Sequence, residues 1–426
     1  MATDWIISED GTEYTFTLRD AKWHDGSDFT ADDVVFSVER FLSMPATSNK
    51  ATFVTGAEKI DDHTVKLTLE YAYPNFLLQL CSYPWRIVSQ KAIKENGDDN
   101  VNMLIGTGPY KLKSITSGVG VTLEANPDYW GDAPYFETVN YKLIPDNSTA
   151  LTALLNGEID IDTVSSTLDV DYVKNTNGYT VHEFQRAGGH VIAMDLSKAP
   201  FNNTQFRQAI AYAINRDEYV QLVWNGQAYS SSRTLISDYE EGYTDAIPSY
   251  DYNLEKAKEL LAQSGLSESE MSFELTVSTS GYGSAFGAAF LESMKAIGVN
   301  VTLKQVEAGL WKSQFFAGEY QSIVYTLASV PYNPPLFYRA YLKPTGYICL
   351  NSPLELDDKI DAANRELDDA KRNAMYQEIN ITVGEACAYI PLAYQKMNYA
   401  CPENLKGMQW HLSLLTTRIA DWYWEA

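Results

Sequence analysis

The sequence predicts an α/β protein made of more than one compact unit. The chain has 426 residues, more than an ordinary single domain needs. Its first part alternates short apolar–polar strands with single helices, whereas long helices dominate after about residue 190. In that later part a strand, a helix and a second strand follow one another, which is the order of a parallel crossover unit.

The N-terminal stretch predicts a strand followed by a helix. In "EYTFTLRD", Tyr14, Phe16 and Leu18 alternate with polar residues, as in a strand with one buried face. Thr30 then precedes an amphipathic run and is the expected helix cap. The expected buried face of that helix consists of Val34, Val35, Val38, Phe41 and Leu42.

The stretch "GTGPYKLKSI" resembles a phosphate-binding loop only at first sight. After Gly106 and Gly108, a dinucleotide fingerprint requires a third glycine at position 111, where this chain has Lys111. The stretch continues as an alternating strand, so no helix N-terminus follows to hold a phosphate. We therefore expect a turn that opens a strand.

More strands follow, in "VTLEANPDYW" and "TVNYKLIP", and then "NSTALTALLNGEIDI", a capped helix that ends at Asn156-Gly157 and is followed by a short strand. Glu158, Asp160 and Asp162 come directly after this helix and could imitate the acid pair of a glycosidase. Because Asp160 and Asp162 share one strand face, a solvated sheet edge explains them better.

The segment after "HVIAMDL" predicts helices and a crossover. "NTQFRQAIAYAINRDEYVQLVWNG" is expected to be one helix, with Phe206, Ile210 and Ile214 on one face and a stop at Asn225-Gly226. "MSFELTVSTSG", "AFGAAFLESMKAIG" and "VNVTLKQVE" are the expected strand, helix and strand of the crossover.

Composition excludes several functions. The formal net charge is −24, and such a surface repels phosphate backbones, so nucleic acid is not an expected partner. No apolar run approaches the roughly 18 residues of a membrane span. The N-terminus lacks a basic region and an apolar core, so we expect any export signal to lie outside this sequence.

The motifs of metal and catalytic sites are missing from the sequence. It contains neither His-Glu-x-x-His nor Gly-x-Ser-x-Gly. The cysteine spacing fits no zinc site, and pairing of Cys387 with Cys401 is left open. The five histidines have no metal-like spacing, and they are His24, His63, His182, His190 and His411. We expect no cofactor, no metal ion and no catalytic residue.

Two segments are candidates for ligand contact. "SGYGSAFG", at positions 280–287, lies between a predicted strand and a predicted helix, where free backbone N–H groups can face an anion; a plain turn is the alternative. "SIVYTLASVPYNPPLFYRAYLK" is an apolar strand that runs into prolines among tyrosines. Ligands bind at such strand ends in open α/β domains, although an edge loop packed on a neighbour is the alternative.

Several stretches together resemble one family. They are "DGTEYTFTLRDAKWHDGSDFTADDVVFSVERF", "GTGPYKLKSI", "ANPDYW", "ALLNGEIDI", "KAPFNNTQFRQAIAYAINRDEYV" and "AIGVNVTL", in this order. In order and spacing they are similar to the family 5 extracellular solute-binding proteins, the dipeptide-, oligopeptide- and nickel-binding receptors of ABC importers. The resemblance covers nearly the whole chain.

The resemblance implies a bilobal periplasmic-binding-protein-like fold of type II, close to cluster C, with a small extra domain. Residues 1–105 would be part of the small domain, 106–189 the first pass of lobe I, 190–394 lobe II and 395–426 the return to lobe I. The two crossings would lie near "HVIAMDL" and "AYQKMNYA". Members of the family usually have several strands before the "DGTEYTF" region, so we expect roughly 50 to 80 residues of the family layout to be missing before it.

A second departure concerns the ligand. Peptide-binding members carry an aspartate, in the loop matching "ASVPYNPP", that pairs with the peptide's α-amino group; alignment on Tyr332-Asn333 places Pro331 there. Burying an unpaired ammonium costs several kcal/mol. A peptide with a free N-terminus therefore requires another acid, such as Glu307, and a blocked peptide, an oligosaccharide or another polar solute is the alternative.

The predicted function is that of the extracytoplasmic substrate-binding subunit of an ABC importer, periplasmic or anchored at the cell surface as a lipoprotein. Its expected partners are a peptide or small-molecule ligand and the permease subunits, with membrane attachment only through a lipid anchor outside this sequence. A glycoside hydrolase and a sensory ligand-binding module are the alternatives. The candidate ligand-lining residues are Tyr325, Tyr332, Asn333, Tyr282, His190, Met194 and Trp311.

Overall fold

The computed structural model describes residues 1–44, 53–81, 85–97, 104–185, 188–280, 283–327, 334–409 and 418–426. The chain divides into two compact units, Met1–Asp160 with Cys401–Ala426 and Ile161–Ala400. It passes from one unit to the other at 160/161 and at 400/401. Residues 161–189 and 395–400, which we expected in lobe I, group with the second unit. The finer division into a small domain and two lobes stays a prediction.

The regular elements of the first unit, in chain order, are β1 (Ala2–Ile7), β2 (Glu13–Leu18), α1 (Ala31–Ser43), β3 (Val54–Asp61), β4 (Thr64–Leu69), α2 (Phe76–Leu80), α3 (Gln90–Asn96), β5 (Tyr110–Thr116), β6 (Gly120–Ala125), β7 (Thr138–Lys142) and α4 (Asn147–Leu155). The second unit contains β8 (Asp162–Thr163), α5 (Thr167–Lys174), β9 (Tyr179–Gln185), β10 (His190–Asp195), α6 (Thr204–Ala213), α7 (Arg216–Trp224), β11 (Ala228–Ser230), α8 (Leu254–Ser264), β12 (Ser272–Ser278), α9 (Gly283–Lys295), β13 (Asn300–Val306), α10 (Ala308–Ala317), β14 (Ser322–Thr326), α11 (Pro334–Phe337), a π-helical turn (Tyr338–Leu342), β15 (Cys349–Leu350), α12 (Asp357–Ala363), α13 (Asp369–Glu385) and β16 (Ile390–Pro402), whose last two residues belong to the first unit. The returning chain adds β17 (Leu405–Lys406), a short 3₁₀ turn (Ile419–Asp421) and β18 (Tyr423–Trp424).

The first unit has its own core. An antiparallel sheet runs in the order β1-β2-β4-β3, and α1 packs on β3 and β4. Val34, Val38 and Phe41 are buried, as predicted, while Val35 and Leu42 are only partly buried. A second antiparallel sheet follows in the order β5-β6-β7, and its strand residues are at most partly buried.

The predicted start of α1 is confirmed, since the helix begins directly after Thr30. The carboxylate of Asp33, in the first turn, accepts hydrogen bonds from the Thr30 N–H at 3.1 Å, the Trp23 indole N–H at 3.1 Å and the Gln90 N–H at 2.9 Å. Asp33 is buried, and this set of donors supplies the partners that a buried carboxylate needs. The residue thereby joins three segments of the first unit.

The stretch "GTGPYKLKSI" is a turn that leads into β5, as predicted. His24 Nδ1 accepts a hydrogen bond from the Gly106 N–H at 3.1 Å, so Nε2 carries the proton and donates to the Gly108 carbonyl at 3.0 Å. Burial lowers the pKa of His24, which favours this neutral form of the ring. The side chain of His24 therefore holds the turn in place through two hydrogen bonds to its main chain.

The second unit is built on one mixed sheet. Its strands run in the order β11-β16-β10-β14-β12-β13, with β15 beside β10, and β8 and β9 beside β16. β12 is parallel to β13 and to β14, whereas β10 is antiparallel to β14 and β16. The crossover predicted from "MSFELTVSTSG" to "VNVTLKQVE" is confirmed by the pairing of Ser272–Ser278 with Asn300–Val306.

The prediction of one helix from residue 203 to 226 is wrong. The chain forms α6 and α7, and Ile214 between them is extended with φ −89° and ψ 113°. Asn215 then caps α7, because its side chain accepts a hydrogen bond from the Glu218 N–H. The predicted stop is confirmed, since Asn225 takes the left-handed conformation with φ 49°.

Two buried arginines, Arg207 on α6 and Arg216 on α7, connect this segment to other parts of the second unit. Arg216 donates to the carbonyls of Pro391 at 2.8 Å and Tyr250 at 2.9 Å, and Arg207 donates to those of Phe201 and Ala386, both at 2.6 Å. These carbonyls come from four separate segments. Each guanidinium therefore acts as a multiple donor: Arg216 joins α7 to β16, and Arg207 joins α6 to the end of α13.

The four cysteines, Cys81, Cys349, Cys387 and Cys401, are free thiols in the structure. Burial raises the pKa of Cys387 to about 12 and that of Cys401 to about 11. Both thiols are therefore protonated, and hence weakly reactive, at neutral pH.

Candidate functional site

One edge of the second-unit sheet brings together most of the segments singled out in the sequence. Thr326, at the end of β14, pairs with His190, at the start of β10. Ser278 and Val306, at the ends of β12 and β13, pair with each other. Since β12, β13 and β14 are parallel, their carboxyl ends all lie at this edge, which we call the carboxyl edge.

His190 is buried at the carboxyl edge. Its Nδ1 lies 2.9 Å from the Thr326 hydroxyl, and its ring packs on Trp224 with 4.6 Å between the centroids. The preceding Gly189 has no room for a side chain, since a Cβ there would lie 2.7 Å from the Ala393 carbonyl oxygen. This tight packing fixes the position of the imidazole.

Trp311 and Tyr325 form part of an aromatic stack near the carboxyl edge. Their ring centroids are 4.5 Å apart with an interplanar angle of 24°, and Tyr325 also stacks on Phe315 at 3.6 Å and 6°. The Trp311 indole N–H donates to the Val324 carbonyl at 2.9 Å, which orients the ring. The stack holds α10 against β14, and Trp311 stays partly exposed.

Glu307 lies between β13 and α10, at the same edge. It occupies the position before the first helical residue, and its side chain makes no capping hydrogen bond. The residue is exposed, and its carbonyl accepts a hydrogen bond from the Trp311 N–H at 2.8 Å. An exposed carboxylate therefore lies one helical turn from the aromatic stack.

The predicted site residues separate into three groups. His190, Tyr325 and Trp311 lie at or near the carboxyl edge, and their contact with a ligand stays a prediction. Tyr282, Tyr332 and Asn333 lie outside the described residues, as does Pro331. Met194 does not fit a lining role in this structure, because it is completely buried near the opposite end of β10, where it pairs with Ser322 and Cys349.

Two further aromatic residues, Phe315 and Trp224, support the site and are not among the predicted residues. Phe315 is four residues after Trp311, so helical spacing could have placed both rings on one face. Trp224 precedes the Asn225-Gly226 stop, and no local pattern connects it with His190. The rings of Trp224 and His190 come together only through the folding of the chain around β10.

The acids considered for catalysis do not share a strand face as predicted, because the strand β8 contains only Asp162 and Thr163 and Asp162 is partly buried. Glu158 and Asp160 are exposed and belong to the first unit, whereas Asp162 belongs to the second unit. Burial raises the pKa of Asp162. Among the described residues, no group of three or more His, Cys, Asp or Glu side chains could hold a metal ion.

Comparison with known proteins decides the family. Residues 1–348 match the family model of the bacterial extracellular solute-binding proteins, family 5 (middle). The chain belongs to this family. It is thus the substrate-binding subunit of an ABC importer and acts outside the cytoplasm.

Curated relatives of this solute-binding protein match over almost its whole length. Di/tripeptide-binding protein 2 of Pseudomonas aeruginosa is 28% identical over 96% of this chain and 83% of its own length. The oligopeptide-binding protein AppA of Bacillus subtilis is 27% identical over 95% of this chain and 79% of its own length.

Solved structures agree on the fold. The periplasmic binding protein DppA from Helicobacter pylori, in complex with the peptide STSA, has a TM-score of 0.83 and 26% identity, and the match covers 100% of this chain and 89% of that one. NikA from Brucella suis, in complex with Fe(III)-EDTA, has a TM-score of 0.89 at 22% identity, covering 100% and 90%. The second comparison supports the α/β bilobal fold alone.

No helix in the described part of this solute-binding protein is both long and apolar enough to cross a membrane. The membrane partner implied by the family is the permease of the importer.

Proposed function

We propose that this protein captures a short peptide or a related polar solute, using the carboxyl edge of the second unit, and presents it to the permease. The observation that carries the proposal is the stack of Trp311 on Tyr325 beside the ends of β12, β13 and β14. The relatives support a peptide ligand, since two of them are named as peptide-binding proteins and the structure of a third contains a bound peptide.

The arrangement suits binding better than chemistry. Aromatic faces supply apolar contact area, and main-chain groups at strand ends can pair with a peptide backbone whatever its side chains are. The exposed Glu158 and Asp160 show no feature of a matched acid and base. We therefore propose that the ligand leaves unchanged, and mass spectrometry of ligand recovered after incubation tests this.

Glu307 is the candidate partner for a ligand ammonium group. Its carboxylate is exposed at the carboxyl edge and close in sequence to Trp311. If it fills the role of the aspartate that Pro331 replaces, a peptide with a free N-terminus is the ligand. A peptide with a blocked N-terminus is expected if it does not.

A thermal-shift screen followed by calorimetry tests the proposal. The panel contains di- to pentapeptides, the same peptides acetylated at the N-terminus, and oligosaccharides. A ligand at 100 times its Kd stabilises the folded protein by about 2.7 kcal/mol. A shift with the peptides supports the proposal, and a shift with oligosaccharides alone contradicts it.

The Glu307→Gln variant separates the two peptide classes. If Glu307 pairs with the ammonium group, the variant should bind free peptides about tenfold or more weakly and acetylated peptides unchanged. Equal affinities of the variant and the native protein for free peptides would exclude this role for Glu307, while leaving peptide binding itself intact.

A further inference from the structure

The sequence contains four Asn-Gly pairs, and all four lie in described parts of the structure. They are Asn96-Gly97, Asn156-Gly157, Asn177-Gly178 and Asn225-Gly226. The side-chain amide of an asparagine before glycine is open to attack by the next main-chain nitrogen, since glycine has no Cβ to hinder the approach. The reactivity of each pair therefore depends on whether this nitrogen is free.

Three of the pairs lie at helix ends, where the glycine N–H donates to a main-chain carbonyl of the preceding helix. These bonds run from Gly97 to Ile93 at 2.8 Å, from Gly157 to Leu154 at 2.9 Å and from Gly226 to Val220 at 2.9 Å. Such bonds are typical of helix C-termini, where they satisfy carbonyls that have no partner within the helix. The glycine nitrogen must leave this bond before it can attack the asparagine.

The fourth pair, Asn177-Gly178, lies in the turn between α5 and β9. The Tyr179 N–H donates to the Thr176 carbonyl at 3.3 Å, which closes a turn with the Asn-Gly pair at its centre. Gly178 has a φ of 85°, as expected of the third residue of a type II turn. The closing bond of such a turn comes from its fourth residue and leaves the third N–H unused. Within the described residues, neither the Gly178 N–H nor the Asn177 side chain makes a hydrogen bond.

Exposure to solvent does not separate Asn177 from the other pairs. Asn156, Asn177 and Asn225 are all exposed. Asn96 is partly buried, and its Nδ2 donates to the Ala92 carbonyl at 2.9 Å. The missing hydrogen bond on the following amide is therefore the feature that distinguishes Asn177 from the two other exposed asparagines.

We propose that Asn177 is a site of spontaneous deamidation and that the helix-end hydrogen bonds protect the three other pairs. The Gly178 nitrogen loses its proton and attacks Asn177 Cγ. A bond forms between this nitrogen and Cγ while the bond from Cγ to Nδ2 breaks, and ammonia leaves with the proton. Water then opens the cyclic imide at either carbonyl and gives aspartate or isoaspartate. The side chain thus exchanges ammonia for water, and no oxidant or reductant takes part.

The modification changes the turn in two ways. Either product adds a negative charge to a chain whose formal net charge is already −24. In isoaspartate the main chain also passes through the side-chain carboxyl, which lengthens the turn before β9, a strand that pairs with β16. No residue of the proposed ligand site takes part, so the inference does not rest on the proposed function.

Incubation of the ligand-free protein in mildly alkaline buffer, followed by peptide mapping with mass spectrometry, tests the inference. We expect Asn177 to deamidate about tenfold or more faster than Asn96, Asn156 or Asn225, since these three must first open locally. Comparable rates at Asn177 and at either of the other exposed asparagines would overturn the inference.

The same incubation in urea separates the effect of the fold from that of the local sequence. Without the helix-end bonds, the four asparagines should react at rates within about threefold of one another, since each is followed by glycine in an open chain. If Asn177 remained about tenfold faster in urea, the local sequence rather than the hydrogen bonds would explain its reactivity, and the inference would fail.

Two variants test the change of charge in the intact protein. On isoelectric focusing, the aged native protein should develop an acidic form that Asn177→Gln abolishes, because the longer glutamine side chain cyclises far more slowly. Asn156→Gln is the matched control, since Asn156 is also an exposed asparagine before glycine, and it should leave the acidic form unchanged. An acidic form that persists in Asn177→Gln, or one that disappears in Asn156→Gln, would contradict the assignment.

Discussion

The two ends of β10 differ in how their polar groups are used. At the end of the strand, Asp195 is buried and accepts hydrogen bonds from the Ser197 hydroxyl at 2.7 Å and Asn351 Nδ2 at 2.9 Å, with Lys198 Nζ also at 2.9 Å. At the start, the His190 ring packs on Trp224, and the exposed carboxylate of Glu307 lies at the same end of the sheet.

This difference indicates which end of β10 is available to bind a ligand. A carboxylate whose acceptor positions are filled from within the chain contributes to stability and has little left for a ligand. A partly exposed aromatic stack beside an exposed carboxylate has contact surface to offer. We therefore expect substitutions at the Asp195 end to change the free energy of unfolding and substitutions at the carboxyl edge to change ligand affinity.

The largest expected effect is that of Asp195→Ala on stability. Removing the buried carboxylate breaks its charge-assisted hydrogen bonds from Ser197, Asn351 and Lys198 together, so we expect the free energy of unfolding to fall by about 3 kcal/mol. Urea denaturation measures this. Asp361→Ala, which removes the exposed partner of Lys343, is the control and should cost about 1 kcal/mol or less. A similar loss for both variants would contradict the structural role of Asp195.

Two tyrosines that stack on the same ring, Tyr325 and Tyr320, test whether the carboxyl edge binds the ligand. Tyr325 and Tyr320 both stack on Phe315, with centroids 3.6 Å and 6.3 Å away, but only Tyr325 lies toward the carboxyl edge. Each Tyr→Leu change removes a buried ring and should lower the free energy of unfolding by about 2 kcal/mol.

Only Tyr325→Leu should also weaken ligand binding, by about tenfold, which corresponds to about 1.4 kcal/mol. Calorimetry with whichever peptide stabilises the native protein provides the comparison. Equal affinities of the two variants would show that the stack has no part in the site.

Local patterns predicted those parts of the fold that depend on neighbours in sequence. The cap at Thr30, the turn at Gly106 and the crossover through β12 and β13 all follow from residue types a few positions apart. The break between α6 and α7 was missed because Phe206 and Ile210 keep a helical period that continues to Ile214. The signal for the break was the N-cap type of Asn215, which the apolar pattern outweighed.

The candidate site was harder to predict because it depends on β10. Every residue of this strand is buried, so alternation gives no indication of which side chains face a ligand. Met194 and His190 were both predicted as lining residues from their positions on this strand. Met194 is part of the core, whereas His190 lies at the carboxyl edge. Only strand pairing, which connects residues more than 100 positions apart, distinguishes the two.

A smaller effect is expected from pH at the Asp195 end. Burial acts to raise the pKa of Asp195, but bonds from Lys198, Asn351 and Ser197 outweigh it and hold the pKa below its ordinary value. The unfolded chain therefore binds this proton at higher pH than the folded protein does. The stability that ionised Asp195 contributes is full above about pH 4, the ordinary pKa of aspartate, and is lost as pH falls below it.

Asp195→Asn removes this titration. The difference in free energy of unfolding between the native protein and this variant should be constant from pH 7 to 5 and should shrink below pH 4. Urea denaturation at several pH values measures it, and a difference that grows on acidification would mean that the folded pKa is raised instead.

The smallest expected effect on stability is that of Glu307→Gln. The Glu307 side chain is exposed and makes no capping bond, so the free energy of unfolding should change by no more than about 0.5 kcal/mol. An unchanged free energy of unfolding would distinguish Glu307 from Asp195. A carboxylate that does not stabilise the fold is available to a ligand. If Glu307→Gln instead cost as much as Asp195→Ala, the carboxylate would have a partner within the chain, and the contrast between the two ends of β10 would fail.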